Sequence, residues 1–257
     1  MPALATLQLR NPHSVLAALE SRPHDVVDVR LPAQRPSPAW EEVEKLATMH
    51  RIPILRGSPN EGRRNPRHQQ VESGRTSITQ AMVREREDVP VKELFANATE
   101  QRDGRYGLWL ALDQIQDPHN VGAIFRTAAF FGIRGVVLTR DHSAPLNGTV
   151  YDVASGGMEH VPFSNLPNLA RAIEQAKEAG LWALGASEHA ERDVSEVPRD
   201  RPWLLVLGNE EKGLRRLTFE KCDDVCRLSA HGSVGSLNVS VAAGVLMALL
   251  TGSGTGQ

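Results

Sequence analysis

The chain has 257 residues, 40% hydrophobic and 23% charged, with a formal net charge of −2. This is the composition of a globular protein with room for one large or two modest domains, and the balance of charge excludes a uniformly basic protein that coats nucleic acid. The longest apolar run, Val239 to Leu250, is broken by Ser240 and Gly244 and falls short of the roughly 18–20 residues that span a bilayer. The N-terminus, MPALATLQLR, lacks the basic-then-apolar pattern of a secretory leader. A cytoplasmic protein with no membrane contact is expected.

The first elements form a small unit. Asn11 is placed to cap a helix that opens at Pro12 and runs through VLAAL. DVVDVRL (25–31) follows as a strand. Ser37-Pro38 opens a second helix, with Glu41, Glu42 and Glu44 near its positive end and Lys45 further on. IPIL (52–55) is a short strand, which completes an α-β-α-β pattern. Residues 51–75 then hold six arginines, no lysine, and only Glu61 and Glu72, in a context of Gly, Pro, Asn and Gln. Such a segment reads equally as a solvated linker and as an arm that meets RNA phosphates. Its densest cations are Arg63, Arg64 and Arg67. SITQAMVRE (77–85) extends the first unit as a strand, and VKELFANATEQRDGR (91–105) is a short helix with a polar connection. The expected division is a small α/β unit over 1–85 (Arg-rich segment 57–75), a linker over 86–105, and a second domain over 106–257.

From Tyr106 the pattern is cleaner. LWLALD (108–113), GVVLT (135–139), LWALGAS (181–187) and WLLVLGN (203–209) read as continuous apolar strands. Helical stretches lie between them near 120–131, 166–179 and 213–221. This alternation predicts an α/β fold with a parallel sheet covered on both faces. Ligands in such sheets bind at the carboxyl ends of strands, which directs attention to the loops after Leu112, Leu184, Leu207 and Leu228. Three of these are rich in Gly, Asn or acids, and each leads into a helix: QIQDPHNVGAIFRTAAFFG, NEEKGLRR and SAHGSVGSLNVS. In the last of them Ser236 is placed to cap a core helix starting near Leu237.

Several chemistries are excluded by pattern. No G-x-G-x-x-G opens a helix, no G-x-x-x-x-G-K-[ST] occurs, and GSVGS (232–236) carries Val where a serine hydrolase has its nucleophile. Cys222 and Cys226 have no second ligand pair, so reduced thiols are expected rather than a metal site. His119 and His231 lie in loops as isolated histidines. What remains on the expected edge is Arg126, Glu210, Asn120 and Asn238 among glycines, a set suited to positioning a large polar ligand for a transfer that needs little covalent help.

Those loops carry a resemblance. DPHNVGAIFRTAAFFG resembles the first motif of the SpoU/TrmH group of SPOUT methyltransferases, with Asn120 and Arg126 at its Asn and Arg. LVLGNEEKGL is similar to the second motif, G-x-E-x-x-G, through Gly208, Glu210 and Gly213. LSAHGSVGSLNVSVAAGV resembles the third, whose core is Ser-Leu-Asn-Val-Ser, although it opens Leu228-Ser229-Ala230 where the family usually has Ile-Pro-Met. More weakly, the first 85 residues resemble the substrate-binding domain of bacterial 23S rRNA guanosine 2′-O-methyltransferases, with Asn11-Pro12-His13-Ser14 where relatives carry Gly.

The resemblance implies a deep trefoil knot formed by the last strand and helix, with S-adenosylmethionine bound against it. It implies cofactor contacts at Gly208, Leu228 and Leu237, with Leu207, Gly185, Ala186 and Asn238 lining the same pocket. The implied reaction is methyl transfer to a ribose 2′-hydroxyl of RNA. Arg126 is then either base or clamp, Glu210 orients Arg126 or a neighbouring donor, and Asn120, Ser236 and Asn238 complete the site. Asn120 is also placed to cap the helix over 121–131. A homodimer with its active site near the dimer interface is implied too, in keeping with apolar residues at Ile124, Phe125, Phe130 and Phe131 beyond what one small sheet obviously needs. A tRNA substrate, or an inactive RNA-binding relative, are the alternatives.

Overall fold

The computed structural model describes residues 5–57 and 79–252, and Arg63, Arg64 and Arg67 lie outside the described residues. Two sheets form. The first orders its strands β1-β4-β2-β3, from β1 (Thr6–Leu9), β2 (Val26–Pro32), β3 (Ile54–Gly57) and β4 (Gln80–Arg84). β4 runs antiparallel to both β1 and β2, and β3 is parallel to β2. Helices α1 (Pro12–Ser21) and α2 (Pro38–Met49) lie between the strands in sequence. Asn11 caps α1 as expected, accepting from the His13 amide at 3.0 Å. The sequence reading lacked β1. Its four residues, TLQL, are too short to show a period, and their partner β4 is far along the chain.

After α3 (Val91–Leu94) the second sheet begins. Its strands are β5 (Leu108–Leu112), β6 (Val136–Thr139), β7 (Phe163–Leu166), β8 (Trp182–Ala186), β9 (Arg192–Asp193), β10 (Trp203–Leu207) and β11 (Asp224–Arg227). They are ordered β7-β6-β5-β10-β8-β11-β9, and every adjacent pair is parallel. The helices are α4 (Pro118–Phe130), α5 (Gly148–Ala154), α6 (Gly157–His160), α7 (Leu169–Glu178), α8 (Arg216–Glu220) and α9 (Val239–Thr251).

Strand alternation sorts the two faces. Leu108, Leu110 and Leu112 join the core that holds α4, α5 and α9, and the first sheet's Leu9, Val29 and Val83 belong to that same continuous cluster. Trp109 and Ala111 point the other way, toward α3 and α7. All five residues of β5 and of β10 are buried, as strands covered on both faces require.

The sheet has one switch point. From β5 the chain moves outward through β6 to β7, and the later strands fill the other side, starting with β10 beside β5. Leu112 pairs with Leu207 in register, so the loops after these residues emerge side by side at the reversal of strand order, where open α/β sheets hold ligands.

Several boundaries differ from the sequence reading. Asn120 does not cap α4. Asp117 does, accepting from the His119 amide at 2.8 Å, and Asn120 is buried in the first turn. Leu166 ends β7 instead of starting α7. The helix expected over 213–221 shrinks to α8, because residues 209–213 close into a turn. Ser236 does not cap α9: Asn238 does, accepting from the Ser240 amide at 2.9 Å. Nor is α9 wholly core. Ala243, Leu246 and Met247 are buried, whereas Val241, Val245 and Leu249 are exposed, because only one face meets α4 and β5. Ile124 and Phe125 are core residues, Phe131 is half-buried and only Phe130 of that set is exposed. Among the described residues no helix is long and apolar enough to cross a membrane.

Candidate active site

The end of β5 is an acid at the tip of an apolar strand. Asp113 has a fully buried side chain, and a buried carboxylate needs a partner. It finds one in Arg215, whose Nε donates to Oδ1 at 2.7 Å and whose backbone amide donates to Oδ2 at 3.2 Å. The pair ties the segment after β10 to the tip of β5. Between them residues 208–213 form a tight turn, in which Asn209 and Gly213 exchange backbone hydrogen bonds at 3.0 and 2.9 Å. The glycines of the G-x-E-x-x-G motif follow from this turn. A Cβ on Gly208 would sit 2.2 Å from the Gly213 carbonyl carbon, and Gly213 has φ +65°. The Asn209 side chain fixes the turn from inside: its amide donates to the Gln114 carbonyl at 2.8 Å, and its oxygen accepts from the amides of Glu211 and Lys212.

The turn delivers Glu210 to the start of α4. Asn120 donates to Glu210 Oε1 at 3.0 Å and accepts from Asn238 Nδ2 at 3.0 Å, and Asn238 accepts in turn from Ser240. Three segments distant in sequence are thereby joined by one line of directed hydrogen bonds, Asn238 to Asn120 to Glu210. The sequence reading left Glu210 to orient either Arg126 or another donor, and the structure gives it Asn120. Arg126 lies further along α4, exposed, with Nη1 donating to Ser155 Oγ at 3.4 Å. Ser236 is exposed and outside this network as described.

The residues expected at a cofactor lie in one row. β10, β8 and β11 are consecutive neighbours, so Leu207 and Gly208, Gly185 and Ala186, and Leu228 fall along the same carboxyl edge. The loop that crosses this edge is held at both ends. Asp193 accepts from the hydroxyl and amide of Ser229, and these bonds together with Ser195 hold its carboxyl well below the usual carboxylate range. Asn238 holds the other end. Between them Gly232 and Gly235 have open space where a Cβ would stand, and Val234 and Leu237 are 73% and 53% exposed. Apolar side chains beside bare backbone donors and acceptors fit a ligand with one flat apolar part and one polar part, as S-adenosylmethionine has.

Other sequence candidates carry less. Among the described residues no group of three or more His, Cys, Asp or Glu is placed to hold a metal. His119 and His231 are exposed. Cys222 and Cys226 are free, and burial pushes both thiols up to about 12, which makes them inert. Sequence reasoning missed Asp113, Asn209 and Arg215. The available signal was an acid ending an otherwise apolar strand.

The sequence model of the SpoU rRNA Methylase family matches residues 107–248. The 23S rRNA (guanosine-2′-O-)-methyltransferase RlmB of Pseudomonas aeruginosa is 38% identical over 237 residues, covering 91% of this chain and 92% of its own. RlmB of Nitrosomonas europaea is 45% identical over 140 residues, 54% of each chain. The SpoU methyltransferase AviRb from Streptomyces viridochromogenes, solved in complex with AdoMet, shares the fold at a TM-score of 0.75 and 20% identity, covering 96% of this chain and 89% of its own. A family match over more than half the chain, with its motifs joined in one hydrogen-bonded line at the switch point of the sheet, settles the relationship: the chain belongs to the SpoU rRNA methylase family.

Proposed function

We propose that this protein transfers the methyl group of S-adenosylmethionine to a ribose 2′-hydroxyl of a guanosine in 23S rRNA. The observation that carries the reading is the Asn238–Asn120–Glu210 line, which joins the helix bearing Arg126 to both loops of the cofactor row. S-adenosylmethionine, when bound, supplies a methyl group already activated by the positive sulfonium. The chain's own work is placement. Gly208, Gly185, Ala186, Leu207, Leu228 and Leu237 form the row against which the cofactor lies. Arg126 faces solvent from α4, where it meets a phosphate or ribose oxygen and stabilises the charge that develops on the hydroxyl. Arginine keeps its proton, so the clamp is favoured over the base.

The wider reading assigns the RNA contact to the unit over 1–85, with Arg63, Arg64 and Arg67 meeting phosphates, and places the protein in the cytoplasm. It includes the trefoil knot, with α9 and the preceding loop drawn through the chain. It also includes a homodimer. α4 and α9 pack together, and Phe130 of α4 stays 83% exposed while Val241, Val245 and Leu249 are exposed on α9. A second copy covers such a face.

The test is methyl transfer to 23S rRNA fragments by wild type and Arg126→Ala, with 2′-O-methylation mapped in RNA from a deletion strain. Arg126→Ala abolishes transfer and keeps cofactor affinity within a few fold. An unchanged methylation map in the deletion strain refutes the substrate.

A further inference from the structure

Among the described residues the Arg126 side chain has one hydrogen-bond partner, Ser155, and that partner leads out of the second sheet altogether. Ser155 follows α5 in the left-handed conformation, φ 48° and ψ 46°, which costs a non-glycine residue free energy. Its hydroxyl is fully used. Oγ donates to the Asp152 carbonyl at 3.5 Å, accepts from Arg126 Nη1 at 3.4 Å, and accepts from Asn11 Nδ2 at 2.9 Å. One donor and two acceptors is the whole capacity of a serine hydroxyl. Asn11 belongs to the first sheet's unit, where it caps α1. It is anchored on α5 through its backbone amide to Asp152 Oδ1 at 2.9 Å and its side chain to the Asp152 carbonyl at 2.7 Å.

The backbone around Ser155 is wedged between the two units. A Cβ on Gly157 would lie 2.6 Å from the Phe125 carbonyl oxygen and 2.9 Å from Arg126 Cα, so this turn rests directly on the backbone that carries the arginine. On the other side a Cβ on Gly156 would lie 3.0 Å from Ala17 Cβ and 3.5 Å from the His13 carbonyl oxygen, both on α1. Packing alone would suit any small residue at 155. Packing does not explain why the position just before two glycines carries a strained serine whose hydroxyl joins an asparagine to an arginine.

We propose that Ser155 and Asn11 are positioning residues for Arg126, so that the amino-terminal unit sets the place of the catalytic arginine through the relay Asn11–Ser155–Arg126. The proposal rests on the reading of Arg126 as the clamp. It gives the amino-terminal unit a part in the chemical step, beyond holding RNA.

The experiment uses the full chain, an rRNA fragment and S-adenosylmethionine. kcat, both KM values and Tm are measured for wild type, Ser155→Gly, Asn11→Ser, the double variant and Arg126→Ala. Glycine takes the left-handed conformation without strain, so Ser155→Gly removes the hydroxyl without lowering Tm. Its kcat falls about five- to tenfold, the factor that goes with one ordinary hydrogen bond, and both KM values stay put. Asn11→Ser keeps a capping oxygen but lacks the amide donor, and its kcat falls similarly. The double variant falls no further than the worse single, because both changes break one relay. Wild-type kcat in Ser155→Gly, with Arg126→Ala inactive, overturns the relay and leaves the clamp intact. Multiplied effects in the double variant also overturn it. Normal turnover in Arg126→Ala removes the clamp and the relay with it.

Discussion

Gly208→Ala puts a methyl group where the turn of the second motif has no space. The new Cβ would lie 2.2, 2.3 and 2.4 Å from Gly213 C, Leu214 N and Gly213 O, all backbone atoms that no rotamer change can move. Ordinary contact begins near 3.4 Å, so the two arms of the turn must part by about 1 Å. That separation breaks the paired bonds between Asn209 and Gly213 at 3.0 and 2.9 Å and pulls Glu210 from its 3.0 Å bond with Asn120. Losing two neutral hydrogen bonds and one charge-assisted bond costs about 2–4 kcal/mol. For a chain of this size that lowers Tm by roughly 5–15 °C. A 1 Å displacement at the site costs about 100-fold in turnover. Differential scanning fluorimetry and methyl transfer from labelled cofactor read the two effects. Gly232→Ala is the internal control, because nothing lies within 4 Å of its Cβ, and without ligand it keeps the wild-type Tm. Wild-type Tm and turnover in Gly208→Ala would refute the assignment of this turn as the rigid support of Glu210.

Changing Arg63, Arg64 and Arg67 together to alanine flattens the slope of log RNA affinity against log salt by up to about 2 units, since each single-strand phosphate contact contributes ~0.7; parallel lines in a titration at several salt concentrations assign the contacts elsewhere. Cofactor affinity, measured by calorimetry on the same variant, stays unchanged. Light scattering at micromolar concentration gives twice the 28.1 kDa of one chain, and Val245→Asp on the exposed face of α9 shifts it toward the monomer; a wild-type mass of one chain sinks the dimer. Burial pushes the Tyr151 phenol up to about 12, with a smaller opposing effect from the Arg86 amide. A raised phenol contributes stability that is complete below its unfolded value near 10 and is lost as pH climbs toward 12, here about 2–3 kcal/mol. Urea unfolding between pH 9 and 11 therefore loses stability less steeply in Tyr151→Phe than in wild type, and equal slopes would contradict the assignment.

Legibility from sequence follows the range of the interactions. LWLAL and WLLVL declare themselves as strands because both faces are buried and every position is apolar. β7 escapes because FSNL mixes polar residues into a short edge strand whose pairing supplies most of the signal. The caps were misplaced by two or three residues in both motif helices. Asp117 and Asn238 cap, where Asn120 and Ser236 were the candidates. In each helix several residues of capping type stand in a row, and local chemistry does not rank them. Tertiary demand does: Asn120 is taken by Glu210, so the helix starts at the residue left free to cap it.

The site residues were legible as types and illegible as a circuit. Spacing placed Asn120, Arg126, Glu210 and Asn238 on segments that leave one edge of the sheet, and the parallel register of β5, β10, β8 and β11 makes those segments start there. The pairing among them depends on side-chain reach across segments 90 and 118 residues apart, and no local pattern encodes it. The seam between the two units is hidden for the same reason. Arg22 reads in sequence as one more basic residue after a helix, yet it makes a two-pronged bond to Glu159 at 2.7 and 2.8 Å and donates to the Arg84 carbonyl at 2.7 Å. With side chains 9% and 1% exposed, neither partner can lose the other without leaving a buried charge, a loss of about 3–5 kcal/mol. A flexibly tethered RNA-binding unit has no use for such a pair. Its presence, next to the continuous core that runs from Leu7 to Met247, means that the first unit is docked by the same kind of directed interaction that joins the motif loops. A position set in that unit is therefore transmitted to α4 with the precision of a packed interior rather than a linker.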